Sequence, residues 1–170
     1  MRLTTPFCVI RDWAPADQAS LVLHADSRPV WRNLRDRFPH PYTATDAQWW
    51  LTRPATISPW THWAIEMEGQ AVGGIGFDRG EDVCVRTGEF GYWLGERYWG
   101  RGIMSAAVDA VVSHAFSHYD IERLQASVFE WNPASMRVLE KCGFLREGVL
   151  RKAVFKDGCL IDAVLYARVR

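Results

Sequence analysis

The 170-residue sequence has no net charge: Lys and Arg number 20, Asp and Glu number 20, and the pI is about 7.0. A protein held on nucleic acid mainly through phosphates needs a broad basic footprint, so this balance argues against that class and leaves room only for a local patch. Long apolar runs are missing too, since no stretch of about 18 apolar residues occurs and the opening MRLTTPFCVIRDWAP has no apolar leader core. Neither a membrane nor a nucleic-acid partner is expected, and the expected location is the cytoplasm. Cysteine is sparse and scattered, at Cys8, Cys84, Cys142 and Cys159, with no CxxC pair. That spacing excludes a zinc ribbon and a thioredoxin-type site, and it predicts buried thiols in a reducing compartment. A phosphate-binding GxxxxGK[ST] run is absent, and Gly73-Gly74-Ile75-Gly76 lacks the third glycine of a dinucleotide fingerprint. His114 and His118 stand four apart on an expected helix, but neither an HExxH motif nor a third ligand accompanies them, so no metal is expected. No repeat or low-complexity linker breaks the chain, which predicts one domain over residues 1–170.

What is present supports a sizeable core, with 48% hydrophobic residues and 24% charged. A short strand is expected at Phe7–Arg11 and a helix from Pro15 to about Ser27. The proline-broken stretch from Arg28 to Trp60 reads poorly, with short helices expected at Trp31–Arg37 and Thr45–Leu51, the latter capped by Thr43 or Thr45. From Thr61 the pattern is a β meander: His62–Met67, a Glu68-Gly69 turn, Ala71–Phe77 and Thr87–Leu94. A helix follows from about Gly102 to Phe116, its polar Ser105, Asp109 and Ser113 opposite a wide apolar face. Then come a strand at Arg123–Phe129 and a helix at Pro133–Lys141 ended by Gly143 as a left-handed cap. Strands at Gly148–Phe155 and Cys159–Val169 flank the hairpin signal Lys156-Asp157-Gly158. In the last strand Ile161, Ala163, Leu165, Ala167 and Val169 alternate with Asp162, Tyr166 and Arg168, which predicts one apolar face. The expected class is α+β, a mixed, mostly antiparallel sheet of about seven strands flanked by helices.

Chemistry concentrates in Glu89 to Met104, read as a strand, a tight loop with glycines at 100 and 102, and a helix start. Such a junction leaves backbone N–H groups without helical partners at the positive end of the helix dipole, which suits a phosphate or pyrophosphate. Gly100 and Gly102 permit the turns of an anion nest, and Arg97 and Arg101 add positive charge. The same sequence also suits a turn that merely packs a helix on a sheet.

Arg97-x-x-Gly100-x-Gly102 is similar to the acetyl-CoA loop of the GCN5-related N-acetyltransferases (GNAT). Downstream, Asn132-Pro133-Ala134-Ser135-Met136-Arg137-Val138-Leu139-Glu140-Lys141-Cys142-Gly143-Phe144 resembles the helix that follows in that fold. The Glu89-Phe90-Gly91-Tyr92-Trp93 strand and the Tyr166-Ala167-Arg168 ending resemble the RimJ/RimL branch, which acetylates protein N-terminal amines. The likeness runs from about Trp63 to Arg170, while the earlier residues fit in element order but not by motif. It implies an acetyl-CoA-dependent N-acetyltransferase, without a metal, acting in a ternary complex with no covalent enzyme intermediate. A homodimer is implied by the resemblance alone.

The resemblance also implies roles. The loop of Arg97, Tyr98, Trp99, Gly100, Arg101 and Gly102, with Ile103 and Met104 at the helix start, would hold the coenzyme pyrophosphate. The backbone of Tyr92, Trp93 and Leu94 would pair with the pantetheine arm like an added strand. Asn132 would hydrogen-bond the pantetheine, or serve as helix N-cap before Pro133, or both. Glu89 would be the general base through water, or else one side of an ion pair. Many family members place a Tyr acid seven residues after the Asn; here that position is Leu139. Ser135 is the remaining donor for the leaving thiolate and a coenzyme contact, although a Ser near a helix cap is also ordinary. An α-amine acceptor needs only a modest base, because a pKa near 7.8 leaves about 10–15% of it neutral at pH 7. Trp31 and Trp49, in the proline-broken region, are the expected acceptor contacts, while core packing is the expectation for most of the other tryptophans. Two other functions stay open: acetylation of a small amine such as a polyamine, amino acid or antibiotic, and a non-catalytic acyl-CoA sensor.

Overall fold

The computed structural model describes residues 1–170. The strands are β1 (Arg2–Thr4), β2 (Val9–Arg11), β3 (His62–Met67), β4 (Gln70–Arg79), β5 (Thr87–Leu94), β6 (Arg123–Phe129), β7 (Leu145–Lys156) and β8 (Cys159–Val169). The helices are α1 (Gln18–Ala25), α2 (Arg28–Trp31), α3 (Ala44–Thr52), α4 (Ile103–His118) and α5 (Pro133–Lys141). One sheet orders the eight strands β1-β2-β3-β4-β5-β6-β8-β7. β5 and β6 pair in parallel, and the β1–β2, β2–β3, β3–β4, β6–β8 and β7–β8 pairs are antiparallel. The α+β class and the mixed, mostly antiparallel sheet are as expected. The additional strand is β1, whose three residues are too few to show a period. No helix is long and apolar enough to cross a membrane.

Contacts group the chain into two compact units, Met1–Gly76 with Tyr92–Ala107, and Phe77–Gly91 with Val108–Arg170. In the first unit, Trp13, Leu21, Ala25, Tyr42, Ala47, Ala64 and Ala71 form a buried cluster, and Trp63 is buried as well. Arg11 clamps this packing with a two-pronged ion pair to Asp17 (both contacts 2.7 Å) and a further pair to Glu66. The Glu68-Gly69 turn has both residues at positive φ, 51° and 79°, the geometry a two-residue hairpin requires. The expected first helix divides into a 3₁₀ turn at Pro15–Asp17 followed by α1. The helix expected at Trp31–Arg37 instead occupies Arg28–Trp31. Ser27 caps it by accepting from the Val30 N–H, and Pro29 sits in its first turn, where a proline starts a helix. Thr43 caps α3 through a reciprocal pair with Asp46, which settles the choice between the two threonines.

In the second unit, α4 buries Val108, Val111, Val112 and Ala115, leaving Asp109 and Ser113 exposed. Strands β6 and β8 and helix α5 fall where the periodicity predicts, and Gly143 ends α5 at φ 78°. Asp157 and Gly158 turn the β7–β8 hairpin at φ 53° and 76°. The single apolar face expected of β8 is corrected. Ile161, Ala163, Val164, Tyr166 and Ala167 are all buried, whereas Val169 is exposed. Ile161, Ala163 and Ala167 point to one face and Val164 and Tyr166 to the other, so both faces of β8 are covered and alternation fails. Of the cysteines expected to be buried, Cys8 and Cys142 are, with burial raising both thiols, but Cys84 and Cys159 are exposed. Those two sit on a surface 3₁₀ turn and beside the hairpin turn, where no core reaches them.

Candidate active site

In the first unit, the site begins on β4 and β5. A Cβ at Gly73 would lie 2.5 Å from the Trp93 carbonyl oxygen, and one at Gly74 would lie 2.7 Å from Trp93 Nε1. The glycine run that fails as a dinucleotide fingerprint therefore lets the Trp93 backbone and ring settle against β4. Gly95 N donates to the Val72 carbonyl at 2.8 Å, and the chain then turns through Glu96–Tyr98. Trp99 Nε1 donates to the Leu94 carbonyl at 2.7 Å, which fixes the turn to the end of β5. Trp99 is itself 45% exposed.

Gly100 and Gly102 have φ of 73° and 77°. A Cβ at Gly100 would meet nothing within 4 Å, and one at Gly102 only the Phe7 ring at 3.9 Å. Backbone conformation, not crowding, selects glycine here. The first helical hydrogen bond of α4 runs from Ala106 N to the Gly102 carbonyl, so the amides of Ile103 and Met104 precede the helix's own pairing. The Arg97 and Arg101 guanidiniums stand 6.0 and 5.6 Å from the centre of the Tyr98 ring, placing two exposed positive charges beside this turn. Open space, left-handed glycines, a helix start and paired arginines form a cradle that fits a pyrophosphate.

His24, at the end of α1, supports the cradle from within the first unit. It is 4% exposed, its ring lies 5.5 Å from that of Tyr98, and its Nε2 has no hydrogen-bond partner. A Cβ at Gly95 would come within 3.0 Å of His24 Nδ1, so glycine is required at that position for packing. Burial, and then the charge of Arg97, lower the His24 pKa below the ordinary imidazole value. The unfolded chain therefore binds the proton first, and stability falls as pH drops from about 6.5 through the folded-state value. We expect the wild-type Tm to fall more steeply between pH 7 and 5 than that of His24→Asn. Parallel melting curves for the two proteins would dismiss this role.

In the second unit, Glu89 and Gln125 form the last rung of the β5–β6 pairing. Gln125 Nε2 donates to Glu89 Oε2 at 3.1 Å, and Gln125 Oε1 accepts from Arg123 Nε at 3.0 Å. Arg123 in turn forks onto Glu147, which holds that carboxylate below its usual range. Glu89 is thus half-buried at the end of an oriented polar chain. Asn132 Oδ1 accepts from the Ser135 N–H at 3.1 Å, so Asn132 is the N-cap of α5 and draws Ser135 to its side. Leu139 is fully buried. The Tyr166 hydroxyl is committed to Glu140 at 2.7 Å.

The tryptophans expected at the acceptor divide. Trp49 is 58% exposed with the Arg53 guanidinium 4.5 Å above its ring, and Trp31 is half-buried against His40 at 5.7 Å. A denser aromatic group is built on Trp50, which meets Trp13, Trp60 and His62 at 6.3, 5.3 and 5.6 Å. His114 and His118 stack at 4.1 Å, and His118 Nδ1 lies 3.0 Å from the His114 carbonyl oxygen.

Residues 8–145 match the acetyltransferase (GNAT) domain family. The chain is 36% identical over 105 residues to the ribosomal-protein-serine acetyltransferase of Escherichia coli K12, a stretch covering 62% of this chain and 58% of that protein. It is 45% identical over 79 residues to the probable N-acetyltransferase YjcK of Bacillus subtilis 168, covering 46% of this chain and 44% of that one. The matches thus span between about two-fifths and three-fifths of these relatives. A crystal structure from Salmonella typhimurium, described as modifying the N-terminal serine of ribosomal protein L7/L12, superposes with a TM-score of 0.82 at 21% identity, over 98% of this chain and 96% of that one. The resemblance to the RimJ/RimL branch is borne out.

Proposed function

The chain belongs to the acetyltransferase (GNAT) domain family, and from that premise we propose that it transfers the acetyl group of acetyl-CoA to the N-terminal α-amine of a protein or peptide in the cytoplasm. The observation that carries the reading is the pair of left-handed glycines at 100 and 102 opening α4 beside Arg97 and Arg101. The likeness to a ribosomal-protein-serine acetyltransferase supports the acceptor class.

The cradle amides from Arg97 to Met104 hold the pyrophosphate, and the backbone of Tyr92 to Leu94 receives the pantetheine. Asn132 contributes its side-chain amide while capping α5. Glu89, through water, takes the extra proton of the acceptor's ammonium form and passes it to solvent. The neutral amine attacks the thioester carbonyl, forming the C–N bond and a tetrahedral oxyanion. Collapse breaks the C–S bond, and the proton lost by the attacking nitrogen reaches the departing thiolate through the Ser135 hydroxyl, which gives one proton and regains another. One observation favours a second reading, an acyl-CoA sensor without turnover: the position of the family's usual tyrosine acid holds the buried Leu139.

The test incubates purified protein with acetyl-CoA and a panel of peptides starting with Ala, Ser or Met, an N-blocked lysine peptide, free amino acids and polyamines, read by mass spectrometry. We expect one acetyl on free peptide N-termini and none on the blocked peptide. Acetylation restricted to a small amine moves the function to metabolite modification. Thermal protection by acetyl-CoA with no acetylated product establishes the sensor.

A further inference from the structure

Residues 28–37 hold four arginines, Arg28, Arg32, Arg35 and Arg37, against one acid, Asp36. All four arginines are exposed. The segment is fastened at both ends, within the first unit, to the strand and loop that carry the coenzyme cradle. On its N-terminal side, His24 packs on Gly95 and Tyr98, and Ser27 Oγ donates to Glu96 Oε2 at 3.3 Å. On its C-terminal side, the Phe38 ring lies 5.5 Å from Trp93 and 4.9 Å from Tyr42. Both ends of the strip are thus anchored to residues between Trp93 and Tyr98, the stretch proposed to present the acetyl donor.

We propose that Arg28, Arg32, Arg35 and Arg37 dock the acceptor and select peptides with carboxylates in the residues just behind the reacting α-amine. This rests on the peptide reading of the acceptor and names its chemistry. Guanidinium forks match carboxylates in geometry as well as charge. An acidic peptide is favoured over nucleic acid because the acceptor must supply an amine, and because the chain's charge balance offers no wider phosphate footprint. Exposed pairs are individually weak and salt-screened, so selection appears as a graded, ionic-strength-dependent preference.

The experiment measures kcat/KM on the intact protein for three free-N-terminus peptides identical in their first two residues. Positions three to six carry Asp and Glu, Ala and Gln, or Lys. We expect acidic above neutral above basic, with about tenfold between the extremes at low salt and a smaller spread at 0.3 M salt. R32E/R35E/R37E should reverse the order while the KM for acetyl-CoA changes less than about twofold, and its melting curve reports that it is folded. Equal rates on all three peptides overturn the strip but leave the peptide reading standing. Absence of acetylation on every peptide overturns both. A rise in the acetyl-CoA KM in the variant assigns the arginines to the coenzyme, and arginine-dependent inhibition by oligouridylate assigns them to nucleic acid. Either result overturns the proposal.

Discussion

Gly100→Val is expected to weaken coenzyme A binding by about a hundredfold or more while the protein stays folded. The native φ of 73° lies in the left-handed region, and no space is at issue, because a Cβ there meets nothing within 4 Å. A β-branched residue resists that conformation at a cost of at least about 1–2 kcal/mol. The loop relieves the strain by turning away, which misaims the amides between Arg97 and Met104. Charge-assisted hydrogen bonds contribute about 1.5–3 kcal/mol each, so losing two of them accounts for two decades or more in Kd. Gly100→Ala, with a smaller backbone penalty, should fall between. Gly69→Val is the control: φ is 79°, its surroundings are equally open, and it lies in the β3–β4 turn. It should lower Tm comparably and leave the coenzyme Kd unchanged. Titration calorimetry with coenzyme A decides the matter, and unaltered affinity in Gly100→Val would remove the cradle from the loop.

The features that a sequence displays best are those in which one residue type has a backbone task. Gly100, Gly102, Gly143 and the Asp157-Gly158 turn all occupy positive φ, and each stands out in the sequence because few other residues tolerate it. Asn132 before Pro133 marks the start of α5 for the same reason. Between Arg28 and Trp60 the signals conflict. Pro29 breaks one pattern and begins another, so the short helix lies upstream of the expected one. Trp31 and Trp49 illustrate a second difficulty: a lone aromatic residue carries no period, and its neighbours in space come from distant segments. The Gly73-Gly74 pair marks a close approach on β4, but its partner, Trp93, comes from the neighbouring strand β5, about twenty residues away in sequence. The alternation of β8 failed because topology, not local sequence, decides whether a strand has one covered face or two.

Glu89→Gln should lower kcat/KM by about a hundredfold at pH 6.5 and by less than about tenfold at pH 9, within the range general bases contribute. The asymmetry follows from the acceptor. An α-amine of pKa near 7.8 is mostly protonated at pH 6.5 and mostly neutral at pH 9. A residue that accepts its proton therefore matters most on the acid side. Glutamine is a stringent replacement here, since its carbonyl oxygen can still accept the Gln125 Nε2 hydrogen bond seen at 3.1 Å. It keeps the rung between β5 and β6 and removes only the capacity to take a proton. If Glu89 serves to brace the Gln125–Arg123–Glu147 chain, Gln should be nearly silent and Ala should lower Tm. A deficit of equal size at both pH values would likewise exclude the base role, because misplacement of a group does not depend on the protonation state of the acceptor. Single-turnover rates separate the chemical step from product release, and a slope confined to that step would identify Glu89 as the group that receives the amine proton.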